Sequence, residues 1–282
     1  MEIIAAFILT IIAIMMGILS SIIGVGGGFI MVPLLILIYN LKAHIAIGTS
    51  IVTVFFTAIS ATIVYFKQKI IDWKLGALTA ILTIPTAYLG AYATKFFDSR
   101  TLSGIFGIVL ALVGLRIILG SGFLLKRKEK THKNQVMLKT NNLKGWHRKL
   151  IDASGVVFDY NVNLTLGLLL LPLCGFASGF LGVGGGTMIV PVYVIVMNIP
   201  IHLAVATSLF AMIFTSTSGA WAHILLNNVS LEYAIPLIIG MVTGAQIGTR
   251  IAKRLKSKTM EFIFGLIIMI IGIFMAVTKL LA

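Results

Sequence analysis

Charged residues are scarce in this sequence, and acidic ones most of all: eight Asp and Glu stand against 22 Lys and Arg, and charged residues make up 11% of the chain. Hydrophobic residues make up 59%, and the mean hydropathy is +1.08. A chain of 282 residues with so few polar side chains cannot cover the surface of a soluble globule. The composition therefore predicts a polytopic membrane protein.

Several kinds of chemistry are excluded by what is missing. The acidic residues all fall at termini, in loops or at the edges of apolar runs: Glu2, Asp72, Asp98, Glu129, Asp152, Asp159, Glu232 and Glu261. A proton relay or cation site built on a buried carboxylate is therefore not expected. The single cysteine, Cys174, excludes an intrachain disulfide. No glycine run continues into the Gly-Lys-Ser/Thr of an ATP-binding loop, so active transport would have to draw on an ion or substrate gradient. No nucleophile stands with a base or a metal cluster, so we expect no enzyme activity, cofactor or metal.

A ten-residue pattern occurs twice, as Gly-Val-Gly-Gly-Gly-Phe-Ile-Met-Val-Pro at 24–33 and Gly-Val-Gly-Gly-Gly-Thr-Met-Ile-Val-Pro at 182–191. At the same offset of 158 residues, further identities continue for about a hundred residues, among them Gly17/Gly175, Ser20/Ser178, Asn40/Asn198, His44/His202 and Gly114/Gly272. A register held this long predicts two copies of one unit. We therefore divide the chain into a first transmembrane repeat at 1–120, a basic linker at 121–160 and a second transmembrane repeat at 161–282.

Each copy contains five apolar segments. They are 3–23, 29–40, 43–66, 75–94 and 102–120 in the first copy, and 163–181, 187–200, 202–226, 233–251 and 260–281 in the second. Most reach the roughly 20 residues that a membrane-spanning helix needs. The runs 29–40 and 187–200 are shorter, follow the glycine loops and contain Pro33 and Pro191, which predicts broken helices that either span or re-enter. Because Glu2, and no basic stretch, precedes the first apolar run, we expect this run to be a retained membrane span and not a cleaved signal peptide.

Basic residues predict the orientation in the membrane. Lys and Arg accumulate after segments 3, 5 and 9, which places the 121–160 linker in the cytoplasm and both termini outside the cytoplasm of a multi-pass cell-membrane protein. Five segments per copy make the second copy enter upside down, as an inverted-topology repeat. The same bias explains the net charge of +14, so no nucleic-acid partner is expected. For the linker, a plain connector with a surface-lying piece near Trp146 is favoured over a partner-binding site.

The glycine loops are the candidate site. Triple glycine leaves backbone N–H groups free, and the following helix points its positive end at them, as in anion sites. Hydroxyl side chains recur around both loops and can donate hydrogen bonds to an oxyanion. The predicted substrate-binding residues are Ser20, Gly24, Gly26, Gly27, Gly28, Pro33, Thr49 and Ser50, with Ser178, Gly182, Gly184, Gly185, Gly186, Pro191, Thr207 and Ser208. The alternative is that the glycines only allow tight helix packing and the hydroxyls only bond backbone.

Ionisable residues offer weaker candidates. His44 and His202 begin equivalent apolar runs and could couple transport to protons, although polar residues at helix starts are the simpler interpretation. His223 stands opposite Tyr65 of the first copy, within the eighth segment. Arg116 is the one arginine embedded in a predicted span, and it either reaches back to the interface or recruits anions.

Paired Gly-x-Gly-Gly-Gly-x-x-x-x-Pro loops, each followed by His-x-Ala-x-x-Thr-Ser, resemble the sulfite exporter TauE/SafE family. Gly24 to Ser50 and Gly182 to Ser208 carry the resemblance, with Ala206 in the second copy where the first has Gly48. The resemblance implies an integral membrane protein that moves a small sulfur-containing anion, such as sulfite, sulfoacetate or a related sulfonate, usually outward.

We accordingly expect a secondary transporter that works by alternating access, with a small anionic substrate and membrane lipids as partners. A passive anion channel, an importer and a homodimer stay open as alternatives.

Overall fold

The computed structural model describes residues 3–24, 26–120, 146–251 and 258–280. Its ten α-helices are, in chain order, α1 (Ile3–Ile23), α2 (Gly28–Leu37), α3 (Ala43–Lys67), α4 (Trp73–Ala93), α5 (Ser99–Gly120), α6 (Leu164–Leu181), α7 (Gly186–Pro191), α8 (Ile201–Leu225), α9 (Leu231–Ile251) and α10 (Lys258–Leu280). Each predicted apolar run overlaps one of these helices. Seven of them, within the described residues, are long and apolar enough to cross a membrane. The predicted all-α polytopic membrane fold is confirmed.

The two broken helices begin in the same way and end differently. Gly27 and Gly185 precede them with left-handed backbone, at φ 82° and 86°. Pro33 lies inside α2, whereas Pro191 ends α7 and the chain continues as a π-helical turn at Val192–Val196. The ten residues of α2 rise only about 15 Å, half of a hydrocarbon core.

The helices of the two copies pack in matching pairs. The central helices α3 and α8 lie against each other, and 67% and 72% of an apolar 18-residue stretch of each is buried, against 33% of the corresponding stretch of α1. Helix α1 of the first copy packs on α9 of the second, and the equivalent helix α6 of the second copy packs on α4 of the first. Each of these pairs therefore joins one helix from each copy. Helices α5 and α10, also equivalent, pack on each other. Glycines bring these backbones close: a methyl group at Gly114 would lie 2.7 Å from the carbonyl oxygen of Gly265.

Part of the predicted 121–160 linker is a β-hairpin. Strand β1 (Trp146–Ile151) pairs antiparallel with β2 (Val157–Val162), and residues 121–145 lie outside the described residues. Tyr160 and Val162 are buried, and they pack in the same apolar cluster as residues of α3, α4 and α8. The surface-lying piece expected near Trp146 is therefore a hairpin that packs on the helix bundle.

An ion pair joins the hairpin to the loop between α3 and α4. Arg148 Nε donates to Asp72 Oδ2 at 2.9 Å and Arg148 Nη2 to Asp72 Oδ1 at 2.5 Å, while Tyr160 Oη donates to Oδ2 at 2.6 Å. Asp72 also caps α4 by accepting from the N–H of Leu75 at 3.2 Å. Burial alone would raise the pKa of Asp72, but the hydrogen bonds from Arg148, Tyr160 and Leu75 hold it below its ordinary value of 3.8. We call Asp72, Arg148 and Tyr160 the hairpin latch.

Candidate functional site

The two glycine loops contact each other through equivalent residues. A methyl group at Gly28 would lie 2.6 Å from the carbonyl oxygen of Gly182, and one at Gly186 would collide with the carbonyl oxygen of Gly24. Ser50 Oγ strengthens the contact by donating to the oxygen of Gly182 at 2.8 Å. Loops that are 158 residues apart in the sequence therefore meet inside the bundle, and only glycine fits at the contact.

Both loops fold in the same way. Gly24, Gly26 and Gly27 have φ values of 80°, 79° and 82°, and the equivalent residues Gly182, Gly184 and Gly185 have 70°, 74° and 86°. In the second loop the N–H groups of residues 184–187 find no acceptor among the described residues, which leaves four donors at the start of a buried helical segment.

Buried hydroxyls without partners lie beside these turns. Ser20 and Ser178 are 2% and 0% exposed, and their Oγ atoms have no hydrogen-bond partner within the described residues. A methyl group at Gly185 would lie 3.5 Å from Ser178 Oγ, and one at Gly27 would lie 3.5 Å from Ser20 Cβ. A buried hydroxyl left unpaired costs about 1–3 kcal/mol, so an equivalent pair of them indicates a site that something else fills.

The space between the two loops is filled by apolar side chains. A methyl group at Gly26 would lie 2.7 Å from Met212 Sδ, and one at Gly184 would lie 2.9 Å from the same sulfur. Val54, the equivalent of Met212, lies against both glycines as well. An anion cannot lie midway between the loops in this conformation, because these two side chains already occupy that position. The free polar groups lie to the sides, near Ser20 and Ser178.

The Thr-Ser pairs have partners inside the protein. Thr49 Oγ1 accepts from the N–H of Ser230, and its equivalent Thr207 Oγ1 accepts from the N–H of Asp72, both at 3.0 Å. Ser208 Oγ donates to the carbonyl oxygen of Val205 at 2.9 Å. These contacts hold the loops that precede α4 and α9, and a contact of these hydroxyls with substrate stays a prediction.

The helices that pack near the second glycine loop, α4 among them, carry more hydroxyl side chains than their equivalents near the first loop. Thr83 and Thr215 hydroxyls lie 2.6 Å apart, and Thr79 Oγ1 lies 2.5 Å from Tyr193 Oη. The equivalents of Thr79, Thr83 and Tyr193 in the other copy are Leu237, Met241 and Leu35, and Met241 lies against Gly27. The repeat is thus symmetric in its backbone but not in the surroundings of its two turns.

The histidines do not share one environment. His44 Nε2 lies 3.1 Å and 3.0 Å from the carbonyl oxygens of Thr94 and Phe97, in the connection between α4 and α5, whereas His202 is exposed. His223 is fully buried, with Nε2 3.0 Å from the carbonyl oxygen of Gly179. The equivalent Tyr65 hydroxyl makes the equivalent bond to Ser21 in the first copy, which indicates a structural role for His223.

A membrane bundle with two matching glycine turns agrees with the sequence comparisons. The family model described as Sulfite exporter TauE/SafE matches residues 9–275. The chain belongs to the TauE/SafE family. The probable membrane transporter protein YunE of Bacillus subtilis (strain 168) is 30% identical over 272 residues, which cover 94% of this chain and 95% of the relative. The probable membrane transporter protein MJ0441 of Methanocaldococcus jannaschii is 26% identical over 283 residues, with 95% and 94% covered. No solved structure matches this TauE/SafE chain.

Some residues of the candidate site were missed by sequence reasoning. Val54 and Met212 hold equivalent positions, but apolar residues in apolar helices give no signal of where they point. Thr187 had a signal, because it replaces Phe29 inside the repeated ten-residue pattern. Its Oγ1 is also buried without a partner in the described part of the chain.

Proposed function

We propose that this TauE/SafE protein is a secondary transporter that exports a small sulfur-containing anion, such as sulfite, sulfoacetate or a related organosulfonate, by alternating access. The family is described as one of sulfite exporters, and the relatives are named as probable membrane transporters, which supports a transport function. The observation that carries the choice of an anion is the equivalent pair of buried hydroxyls, Ser20 and Ser178, which have no partner among the described residues and lie beside the two glycine turns. N–H and O–H donors stabilise an oxyanion without adding a fixed charge to the bilayer interior.

We further propose that the two copies are inverted in the cell membrane, with both termini outside and the linker in the cytoplasm. The basic loops support this orientation. The exchange of helix partners between copies, α1 with α9 and α6 with α4, supports a two-fold relation between them.

In the proposed mechanism, the substrate binds beside a glycine turn while Val54 and Met212 close the path between the turns. A rocking motion of the halves then moves these two side chains and exposes the anion to the other side. Met212 is suited to this because its unbranched side chain adapts to different packings. The substrate undergoes no covalent change, so the protein is not an enzyme in this proposal.

Replacement of Ser178 by alanine tests the site. Because Ser178 Oγ has no partner in the described part of the chain, Ser178→Ala should leave the ligand-free protein as stable as the wild type or up to about 1–3 kcal/mol more stable. The same change should reduce efflux of labelled sulfite from proteoliposomes and reduce the thermal stabilisation that sulfite causes. The control is Ser216→Ala in α8, which removes an equally buried hydroxyl that donates to Met212 O at 2.5 Å and so should destabilise the protein.

Normal sulfite flux in Ser178→Ala would reject the site. Loss of flux in both Gly27→Leu and Gly185→Leu, with membrane insertion intact, would support it, since a side chain at either turn is strained and blocks the donors.

A passive channel is the alternative, and counterflow distinguishes it. Unlabelled sulfite on the far side accelerates labelled flux in a carrier and leaves a channel unaffected. The filled space between the loops favours a carrier, because a channel needs a continuous path. The direction of net flux under an imposed pH gradient separates exporter from importer.

A further inference from the structure

A cavity of about 390 Å³ lies among α5, α6 and α7, on one side of the second glycine turn. Its volume falls in the range of roughly 300–1,000 Å³ that is usual for small-molecule sites. Most of its wall is apolar, with Leu170, Leu173, Met188 and Val192 among its residues. Two polar side chains of different kinds line it, Arg116 from α5 and Thr187 from α7.

Neither polar group has a partner among the residues that the structure describes. Thr187 is 6% exposed, and its Oγ1 has no hydrogen-bond partner in the described residues. Arg116 makes no ion pair or hydrogen bond with any described side chain, and no carboxylate lines the cavity. An arginine on a membrane helix normally needs water, a headgroup or an anion, so the cavity presents a cation and an unused hydroxyl to whatever enters.

The repeat departs from its own pattern at this cavity. The first copy has Phe29 where the second has Thr187, and the second has Phe274 at the position of Arg116. Phe29 is 1% exposed and packs on Phe106 at a ring distance of 6.3 Å, so a buried ring occupies the position of Thr187 in the first copy, whereas Phe274 is 56% exposed. Because an apolar ring is accommodated at this position in one copy, the buried hydroxyl in the other indicates a ligand.

The cavity has wall residues that neighbour the candidate site along the chain. Cys174 and Ala177 of its wall lie on α6 one turn before and next to Ser178, the hydroxyl beside Gly185. Thr187 follows Gly186 of the second glycine loop. A bound molecule could thus place an anionic group near Arg116, Thr187 and the turn while its remaining part lies on the leucines.

We propose that this cavity binds a monovalent anion with a short apolar tail, of which linear alkane sulfonates are the simplest examples. The Arg116 guanidinium pairs with the sulfonate, Thr187 Oγ1 donates a hydrogen bond to it, and the alkyl chain packs on the α6 and α7 wall. Arg116 is exposed and is the one charged side chain that lines the cavity among the described residues, so a second negative charge on the ligand would have no partner there. The inference rests on the proposed function and narrows its substrate.

Binding to the full chain in phosphatidylcholine nanodiscs tests the proposal, with calorimetric titration of methane-, propane- and pentanesulfonate. Each added methylene should tighten binding about fourfold. Arg116→Gln should weaken binding of every member about tenfold or more, and Thr187→Val about threefold or more, with the dependence on chain length retained. Ethane-1,2-disulfonate should bind more weakly than propanesulfonate.

The chain supplies matched controls. Arg250→Gln removes an exposed arginine from the last turn of α9, away from the cavity. Thr62→Val removes a threonine of α3 that is 7% exposed and equally unpartnered among the described residues but does not line the cavity. Both controls should bind the sulfonates as the wild type does.

The proposal is overturned if affinity does not rise with chain length, or if Arg116→Gln and Arg250→Gln behave alike. It is also overturned if phosphatidylglycerol, retained by the wild type but not by Arg116→Gln, excludes pentanesulfonate, because the cavity then holds a lipid headgroup. Sulfite flux is measured in parallel. Flux without Arg116-dependent binding rejects the cavity and keeps the proposed function, whereas Arg116-dependent binding without flux rejects transport and keeps the anion site.

Discussion

Removing Arg148 from the hairpin latch should release the hairpin from the helix bundle. Asp72 is 1% exposed and the Arg148 side chain 18%, so Arg148→Gln leaves a buried carboxylate with Tyr160 and the N–H of Leu75 as its remaining partners. Breaking a buried, hydrogen-bonded ion pair costs about 3–5 kcal/mol. That cost corresponds to roughly a hundred- to several-thousand-fold more frequent opening of the hairpin.

Amide hydrogen exchange across residues 146–162 measures this opening directly. The same hairpin supplies the control, an exposed pair in which His147 Nε2 lies 2.7 Å from Asp159 Oδ1, with side chains 62% and 52% exposed. Surface pairs contribute about 0–1 kcal/mol, so His147→Gln should accelerate exchange by about fivefold or less. The reasoning is refuted if Arg148→Gln and His147→Gln accelerate exchange equally. Adding Asp72→Asn to Arg148→Gln should restore part of the protection, because no unpaired charge is then buried.

Three further outcomes are expected. The pKa of Asp72 is depressed in the folded protein, so the stabilisation by the hairpin latch is fully present above about pH 4 and is lost as the pH drops through the folded pKa. In Arg148→Gln the buried carboxylate has lost its cation and favours protonation, so protection of the hairpin should rise as the pH falls from 7 to 5. Amide hydrogen exchange at several pH values measures both trends. Glutamine at both His44 and His202 should flatten the pH dependence of sulfite flux if they carry protons, and an unchanged profile would leave them structural. Met212→Ala should raise the leak of labelled sulfite in the absence of counter-substrate, since it opens the space between the glycine turns; an unaltered leak would show that Met212 does not close the path.

The helices could be predicted because membrane segments are set by local composition. Apolar runs of sufficient length gave the long helices, and a glycine loop with a following proline gave α2 and α7. The hairpin could not be predicted in the same way. Trp146–Ile151 contains three basic or titratable residues in a row, and its stability comes from Asp72, 76 residues earlier in the chain. The residues adjacent in sequence to Asp72 or to Arg148 give no indication that these two side chains meet.

The candidate site was predicted at the level of the backbone and less well at the level of side chains. A repeated glycine pattern specifies left-handed turns, and the turns are present at equivalent residues. Which hydroxyls have partners depends on the packing of other helices. Ser20 and Ser178 have no partner within the described ranges, whereas Thr49 and Thr207 accept hydrogen bonds from loops of the opposite copy.

The hairpin latch holds only one of the two equivalent inter-helix loops. Asp72 of the latch corresponds to Ser230 in the second copy, which carries no charge and so cannot form the same ion pair. In the proposed alternating-access mechanism, a contact made by one copy and not by the other gives the inward-open and outward-open forms different energies. We expect the hairpin latch to stabilise one of these two forms. The substrate-free protein should then be mainly closed on one face, and part of the binding free energy of the substrate should be used to reach the other form.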